Sequence, residues 1–474
     1  MRLLNTHRAT GSAIVAGLIG TLVGCTLLRG PERPVPLPAN VDPNDLDDVD
    51  ASGKSIDLFE RAGAANSLEA IGRKIQKQKV DELRMRETFT GVEYPRYNSL
   101  LISGGASYGA YSAGVLVGWT ATAKDSEEGG RPKFEVVTGI STGAIIAPYA
   151  FLGQEYDEEL RRQYTTITNK DVYIKRRLGR GILAESALDN TPFQRRVDQS
   201  VSFDLMAQIA AEHKKRRRLY IGTTNIDTKR LVVWDIGEIA TKATPEARQL
   251  IVNVILASAA IPAVFPAVRL NVEIEGRPYE ELHVDGGVTR AVFYRSPVLE
   301  ASRNAELPNP DLLAGSNVFV LVAGKQYPDP DGVRPRTIAI AGASISNLLY
   351  ADTRAELYRV YTLCILTGMN FWVSAIPAEV TVTKQSTNFD PAEMTKLFEE
   401  GFRRGKSGAF TRGPMDALKP GPAWDTVPPE LRGNELTRAR SGLKLKVSKP
   451  PPDATVPSPP NPAPPPAAPA AGPP

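Results

Sequence analysis

Histidine is scarce in this chain: His7, His213 and His283 are the only three in 474 residues. So few imidazoles argue against a histidine-rich metal centre. Cysteine is scarcer still, with Cys25 and Cys364. Two thiols cannot build a disulfide framework. Net charge is close to absent, since 57 basic residues against 53 acidic leave +4. The total therefore carries no nucleic-acid signature, and any basic surface has to be local. What the chain does have is an ordinary globular balance, 42% apolar and 23% charged. Its length suits one large domain or two to three ordinary ones.

The two ends depart from that balance. Arg2 and Arg8 make a basic start, and residues 9–28 are uncharged, small and apolar. A basic region, a short apolar run and small residues before a cleavage point form a secretory address. Within it, Leu22-Val23-Gly24-Cys25 resembles the lipobox of bacterial lipoproteins. That resemblance implies a signal peptide over 1–24, lipidation of Cys25 and a membrane-anchored chain. Thr26, where an aspartate would signal the inner membrane, points by analogy to the outer membrane, facing the periplasm. A plain anchor helix is the alternative, although the apolar run is near the lower limit for a span. Residues 25–54, rich in Pro and Asp, read as an extended spacer. Residues 449–474 are Pro and Ala with almost no charge, a composition that cannot bury a core and predicts a disordered tail.

The chemistry concentrates around Val136-Val137-Thr138-Gly139-Ile140-Ser141-Thr142-Gly143-Ala144. An apolar β-branched run enters a G-x-S-x-G turn, and small, helix-compatible residues leave it. Gly139 and Gly143 flank a turn too sharp for side chains, and Ser141 is pushed out at a helix N-terminus, where negative charge is favoured. A tight turn that happens to contain a serine is the plainer alternative.

Upstream, residues 98–103 (NSLLIS) read as a buried strand. They run into Gly104-Gly105-Ala106-Ser107-Tyr108-Gly109 and a helix over 110–122. The spacing departs from G-x-G-x-x-G, and no Walker lysine is present, so a nucleotide loop is set aside. What remains is a loop whose N–H groups point at an anion; beside a nucleophilic serine, that anion is a tetrahedral oxyanion. Downstream, a strand over 279–284 ends in Asp285-Gly286-Gly287. Serine is a weak nucleophile until a neighbour takes its proton. A carboxylate becomes a useful base when burial raises its pKa. His283 would share Asp285's face of the strand and offers a rival triad. The Ser–acid–His order, however, needs a histidine after the acid, and none follows; His283 reads as structural.

Taken together, SGGASYGAYSAGVL, GISTG, ASAAIPAVFP and the later Asp-Gly-Gly resemble the patatin-like phospholipase family. The resemblance implies a three-layer α/β/α fold and a Ser141–Asp285 dyad. It also implies an oxyanion hole at Gly104, Gly105 and Ala106, with Gly109, Gly139, Gly143, Gly286 and Gly287 as motif glycines. Two positions depart from the usual bacterial pattern: Ala106 stands for a glycine and Tyr108 for an arginine. Alanine still offers its N–H if the backbone angle tolerates a β-carbon.

Elsewhere, residues 55–92 carry a helical rhythm and read as a segment packed on the main domain. Residues 158–205 read as helices and loops over the site's mouth. The run Lys214-Lys215-Arg216-Arg217-Arg218 reads as a solvated helix end rather than a head-group grip, with His213 exposed beside it. Strands are expected over 219–224, 231–236, 317–323 and 379–383, and helices over 246–260, 338–366 and 391–404. Cys364 falls among apolar neighbours as a buried thiol. The strands alternating with helices predict an α/β fold with a mostly parallel sheet over 93–408, followed by an extension over 409–448.

The expected function is hydrolysis of phospholipid or another lipid ester, with water completing the cycle and no metal or cofactor required. A degraded site serving as a lipid-binding scaffold, or acyl transfer to an alcohol, are the alternatives.

Overall fold

In the computed structural model, strands sit where apolar β-branched residues run together. The described residues are 62–122, 130–175, 186, 188–274, 277–296, 310–326, 333, 337–382, 385–408 and 410–412. Cys25, the signal peptide and spacer, the extension beyond 412 and the Pro/Ala tail lie outside them.

The strands are β1 Asn98–Ile102, β2 Val136–Gly139, β3 Ile174–Lys175, β4 Leu188–Asp189, β5 Arg218–Asn225, β6 Arg230–Asp235, β7 Val268–Ile274, β8 Arg277–Asp285, β9 Asn317–Val322, β10 Asn370–Ala375 and β11 Thr411–Arg412. The helices of at least eight residues are α1 Ala62–Thr90, α2 Gly109–Thr122, α3 Thr142–Leu152, α4 Asp157–Thr165, α5 Thr191–Ser200, α6 Phe203–Lys214, α7 Pro245–Ser258, α8 Thr337–Thr367 and α9 Pro391–Lys406.

Nine strands form one mixed sheet in the order β11-β10-β9-β1-β2-β5-β8-β7, with β6 also on β5. Its centre, β10-β9-β1-β2-β5, is parallel, and the strands beyond it pair antiparallel. Central strands are apolar on both faces because both faces are covered. Leu100 and Ile102 of β1 join one core cluster with α2 and α3, whereas Leu101 joins another with Leu357, Val360 and Cys364 of α8. The alternation along a single strand makes the sheet the middle of three layers.

The sheet also brings distant segments together. Thr223 of β5 pairs with both Val232 of β6 and Asp285 of β8, so those two strands lie on opposite edges of β5. Ile221 pairs with both Gly139 of β2 and Trp234 of β6, so β2 and β8 share one edge. β2 leaves that edge at Gly139, and β8 arrives on it from the opposite direction, ending at Asp285. Head-on strands in one lane put the two chain turns, Ser141 and Asp285, face to face.

Helices α2 and α9 pack at backbone contact through paired glycines. A Cβ on Gly114 or Gly118 would come within 2.0 Å of the carbonyl of Phe398 or Phe402, and one on Gly401 or Gly405 within 2.2 Å of Tyr111 or Val115 O. Helix α1 reaches the sheet edge through Gln76, whose Nε2 donates to Met369 O at 2.6 Å and Asn370 Oδ1 at 2.8 Å.

Some expectations need correction. The late strand is Asn370–Ala375, not 379–383: it extends the parallel ladder beside β9, while residues 379–382 form a turn and coil. His213 is half-buried, because its ring packs on Gly237 and its nitrogens lie 3.5 Å from Asp235 and Glu238 carboxylates. The basic run is split. Lys214, Lys215 and Arg216 are exposed, but Arg217 is buried. Its guanidinium donates to Phe134 O, Phe151 O and Glu212, so the charge is compensated inside the fold. Cys364 is buried, and burial pushes its thiol pKa far up, leaving it inert.

Candidate active site

Ser141 sits between β2 and α3 with φ 54° and ψ −122°. A left-handed angle of this kind costs a non-glycine residue on the order of 1–3 kcal/mol. Neither flanking glycine is left-handed, and both sit where a side chain would have no space. A Cβ on Gly139 would lie 2.3 Å from Gly143 O, and one on Gly143 would lie 2.3 Å from Ile102 O. The strain is on the serine, and the glycines let strand, turn and helix close around it.

Asp285 is 6% exposed and Ser141 5%. The Ser141 hydroxyl faces the Asp285 carboxyl closely enough to pull its pKa down. Gly287 N–H donates to the same carboxyl at 2.8 Å. Burial raises the Asp285 pKa to about 6, against the opposing pull of these two donors. That places a carboxylate, ionised at neutral pH yet basic enough to take a proton, on the serine. Gly286 allows the close approach, since a Cβ there would come within 2.5 Å of Gly222 O.

The glycine-rich loop faces the same point. A Cβ on Gly104 would lie 3.0 Å from Ser141 Cβ, and one on Gly105 would lie 1.9 Å from Ala323 O. Ala106 adopts φ 47°, so the β-carbon is carried in a conformation that glycine would hold without strain. Ser107 N–H is used by Ser386 O and Tyr108 N–H by Gly105 O. The N–H groups of Gly104, Gly105 and Ala106 have no backbone acceptor among the described residues. Gly109 fits beneath the elbow helix, where a Cβ would meet Thr142 Oγ1 at 2.3 Å.

Ala106 and Ser141 line one pocket. Its walls come mainly from the helical segment between β2 and β5: Ile167, Val172, Phe193 and Val197, with Ile145, Ile261, Phe265, Phe389 and Met394. Most of this lining is apolar, and the polar exceptions include Gln163 and Arg196, paired at 3.3 Å. Tyr164 lines the pocket and ties it to the elbow, its hydroxyl 2.6 Å from Thr142 Oγ1.

A serine, a buried carboxylate, a turn with uncommitted N–H groups and an apolar cavity therefore meet at one place. Residues 100–301 match the patatin-like phospholipase family. The matched segment runs from β1 past the Asp-Gly-Gly turn, so it contains the glycine-rich turn, the elbow and Asp285. The solved structure of VipD from Legionella pneumophila is similar over 67% of this chain and 68% of that one, at 10% identity and a TM-score of 0.27. No curated protein matches the chain.

His283, the rival base, is fully buried but engaged elsewhere in the sheet. Its Nδ1 lies 2.9 Å from Thr223 Oγ1 and its Nε2 2.9 Å from Glu281 Oε2. Sequence reasoning missed Ser258, which holds the Ser141 backbone, and the individual pocket residues. Ser258 stood in plain view inside ASAAIPAVFP, a stretch whose physics read only as helix packing. Among the described residues no group of His, Cys, Asp and Glu is arranged to hold a metal, and no helix is long and apolar enough to cross a membrane.

Proposed function

We propose that the protein is a serine acyl hydrolase that cleaves lipid acyl esters through a Ser141–Asp285 dyad. The observation that carries this reading is the strained, buried Ser141 facing the buried Asp285 carboxyl, whose pKa burial raises to about 6. The patatin-like match supports the lipid class of substrate, and the apolar pocket beside Ser141 suits an acyl chain.

In the proposed cycle, Ser141 Oγ attacks the ester carbonyl carbon and its proton passes to Asp285. The carbonyl oxygen becomes an oxyanion and accepts hydrogen bonds from N–H groups of the Gly104–Ala106 turn, aided by the N-terminus of α3. The tetrahedral species collapses, the C–O bond to the alcohol breaks, and Asp285 returns the proton to the leaving oxygen. Water then attacks the acyl-serine, giving its proton to Asp285, which passes it back to Ser141 as the fatty acid leaves. Lipidation at Cys25, as the lipobox resemblance implies, would keep this site at a membrane surface, in keeping with a lipoprotein of the outer membrane.

A panel of phospholipid, lysophospholipid and neutral lipid esters tests the proposal with wild type and Ser141→Ala. Release of fatty acid by wild type alone supports it. Equal release by both proteins, or none by either, overturns it.

A further inference from the structure

The C-terminal end of α7 meets both halves of the site. Ser258 is completely buried, and its hydroxyl makes two bonds. It accepts from Ser141 N–H at 2.9 Å and donates to Gly222 O at 2.7 Å. The directions follow from the groups themselves: an amide N–H can only donate and a carbonyl can only accept. Two residues further on, Ala260 O accepts from Asp285 N–H at 2.9 Å. One turn of chain thus touches the backbone of the serine, the backbone of the carboxylate and the strand β5 between them.

The elbow's own bonds leave this role open. Gly143 N–H goes to Ile140 O at 2.7 Å and Ala144 N–H to Ser141 O at 2.9 Å, but neither restrains the Ser141 N–H. That N–H belongs to a left-handed residue, and a residue in such a conformation relaxes unless its surroundings fix it. Its turn toward Ser258 also directs it away from duty as an oxyanion donor, leaving that task to the glycine-rich turn.

We propose that Ser258 is a positioning residue for the acyl-transfer step, holding the Ser141 backbone at its strained angle so that the hydroxyl stays aligned with Asp285. The inference rests on the hydrolase reading above. It is tested with Ser258→Ala and the milder Ser258→Cys in the full chain. For Ser258→Ala, kcat on a lipid ester falls on the order of 10- to 100-fold, the cost of a small misplacement of a reacting atom. KM stays within about twofold, because the pocket is untouched. The acid limb of the pH–rate profile moves no lower than about 6 and shifts upward as the Ser141 hydroxyl loses its alignment, because the Asp285 carboxyl keeps its burial but loses part of the opposing pull. Ser258→Cys, with a weaker hydrogen-bonding group, falls between.

Amide hydrogen exchange at Ser141 gives an independent readout, faster by about tenfold or more in Ser258→Ala as the bond is lost. Unchanged kcat per fluorophosphonate-titrated site, with only the melting temperature lowered, overturns the proposal, as does unchanged exchange at Ser141. If wild type hydrolyses no lipid ester, the hydrolase reading fails. The exchange comparison then decides separately whether Ser258 holds the elbow.

Discussion

Replacing Asp285 with asparagine is expected to stabilise the protein while abolishing turnover. The carboxyl's pKa is about 6 in the fold against 3.8 in its ordinary state, because burial disfavours the charge. Between those values the folded state holds a proton that the unfolded chain has released. Stability therefore falls as pH rises through that window, and the loss is complete above about 6. Two pH units at about 1.4 kcal/mol each give a cost of about 3 kcal/mol at neutral pH. Asparagine is neutral and nearly the same size, and it keeps an oxygen to accept the Gly287 N–H bond. Asp285→Asn should thus be more stable than wild type by about 2–3 kcal/mol at pH 8, with the gap closing as pH falls through 6 and vanishing near 4. Equilibrium urea unfolding at several pH values measures this. A variant less stable than wild type at pH 8, or a difference independent of pH, would refute the reasoning.

The same carboxyl sets the kinetics: kcat/KM should rise about tenfold per unit below pH 6 and level off above it. Ser141→Ala removes a donor that lowers the Asp285 pKa, so an NMR titration of that carboxyl should move further up. Gly143→Ala forces a Cβ to 2.3 Å from Ile102 O and should cost at least about 1–3 kcal/mol in a denaturation midpoint. Ala106→Gly relieves a φ of 47° and should be neutral or stabilising by up to about 1 kcal/mol, the opposite of the usual alanine-to-glycine effect. Val197→Trp fills the pocket wall and should reduce turnover of long-chain esters about tenfold more than that of acetyl esters.

How far the chain could be read depended on the range of each interaction. The elbow, the glycine-rich turn and the Asp-Gly-Gly turn each fit within a few residues, so their local chemistry was visible as motifs. The apolar runs of β1, β2 and β9 were visible because strands buried on both faces carry few polar residues. What escaped depends on partners far away. The bond from Ser141 N–H to Ser258 spans 117 residues, and nothing in either neighbourhood announces it. Arg217 belongs to a run of five cations, yet only the carbonyls of Phe134 and Phe151 distinguish it from its solvated neighbours. Strand β10 follows α8 after a two-residue break at Gly368-Met369, which hid the change of period. The need for space at Gly139 and Gly143 was legible, but the partner that crowds Gly143, Ile102 of β1, was not, because that contact exists only once the sheet has formed.

The central claim is that Ser141 is a nucleophile activated by Asp285. Fluorophosphonate labelling followed by peptide mapping tests it most directly. The account predicts one adduct, on Ser141, formed by wild type at a rate that drops below pH 6 and lost in Ser141→Ala and Asp285→Asn. An adduct on another residue, or equal labelling of folded Asp285→Asn, would contradict it.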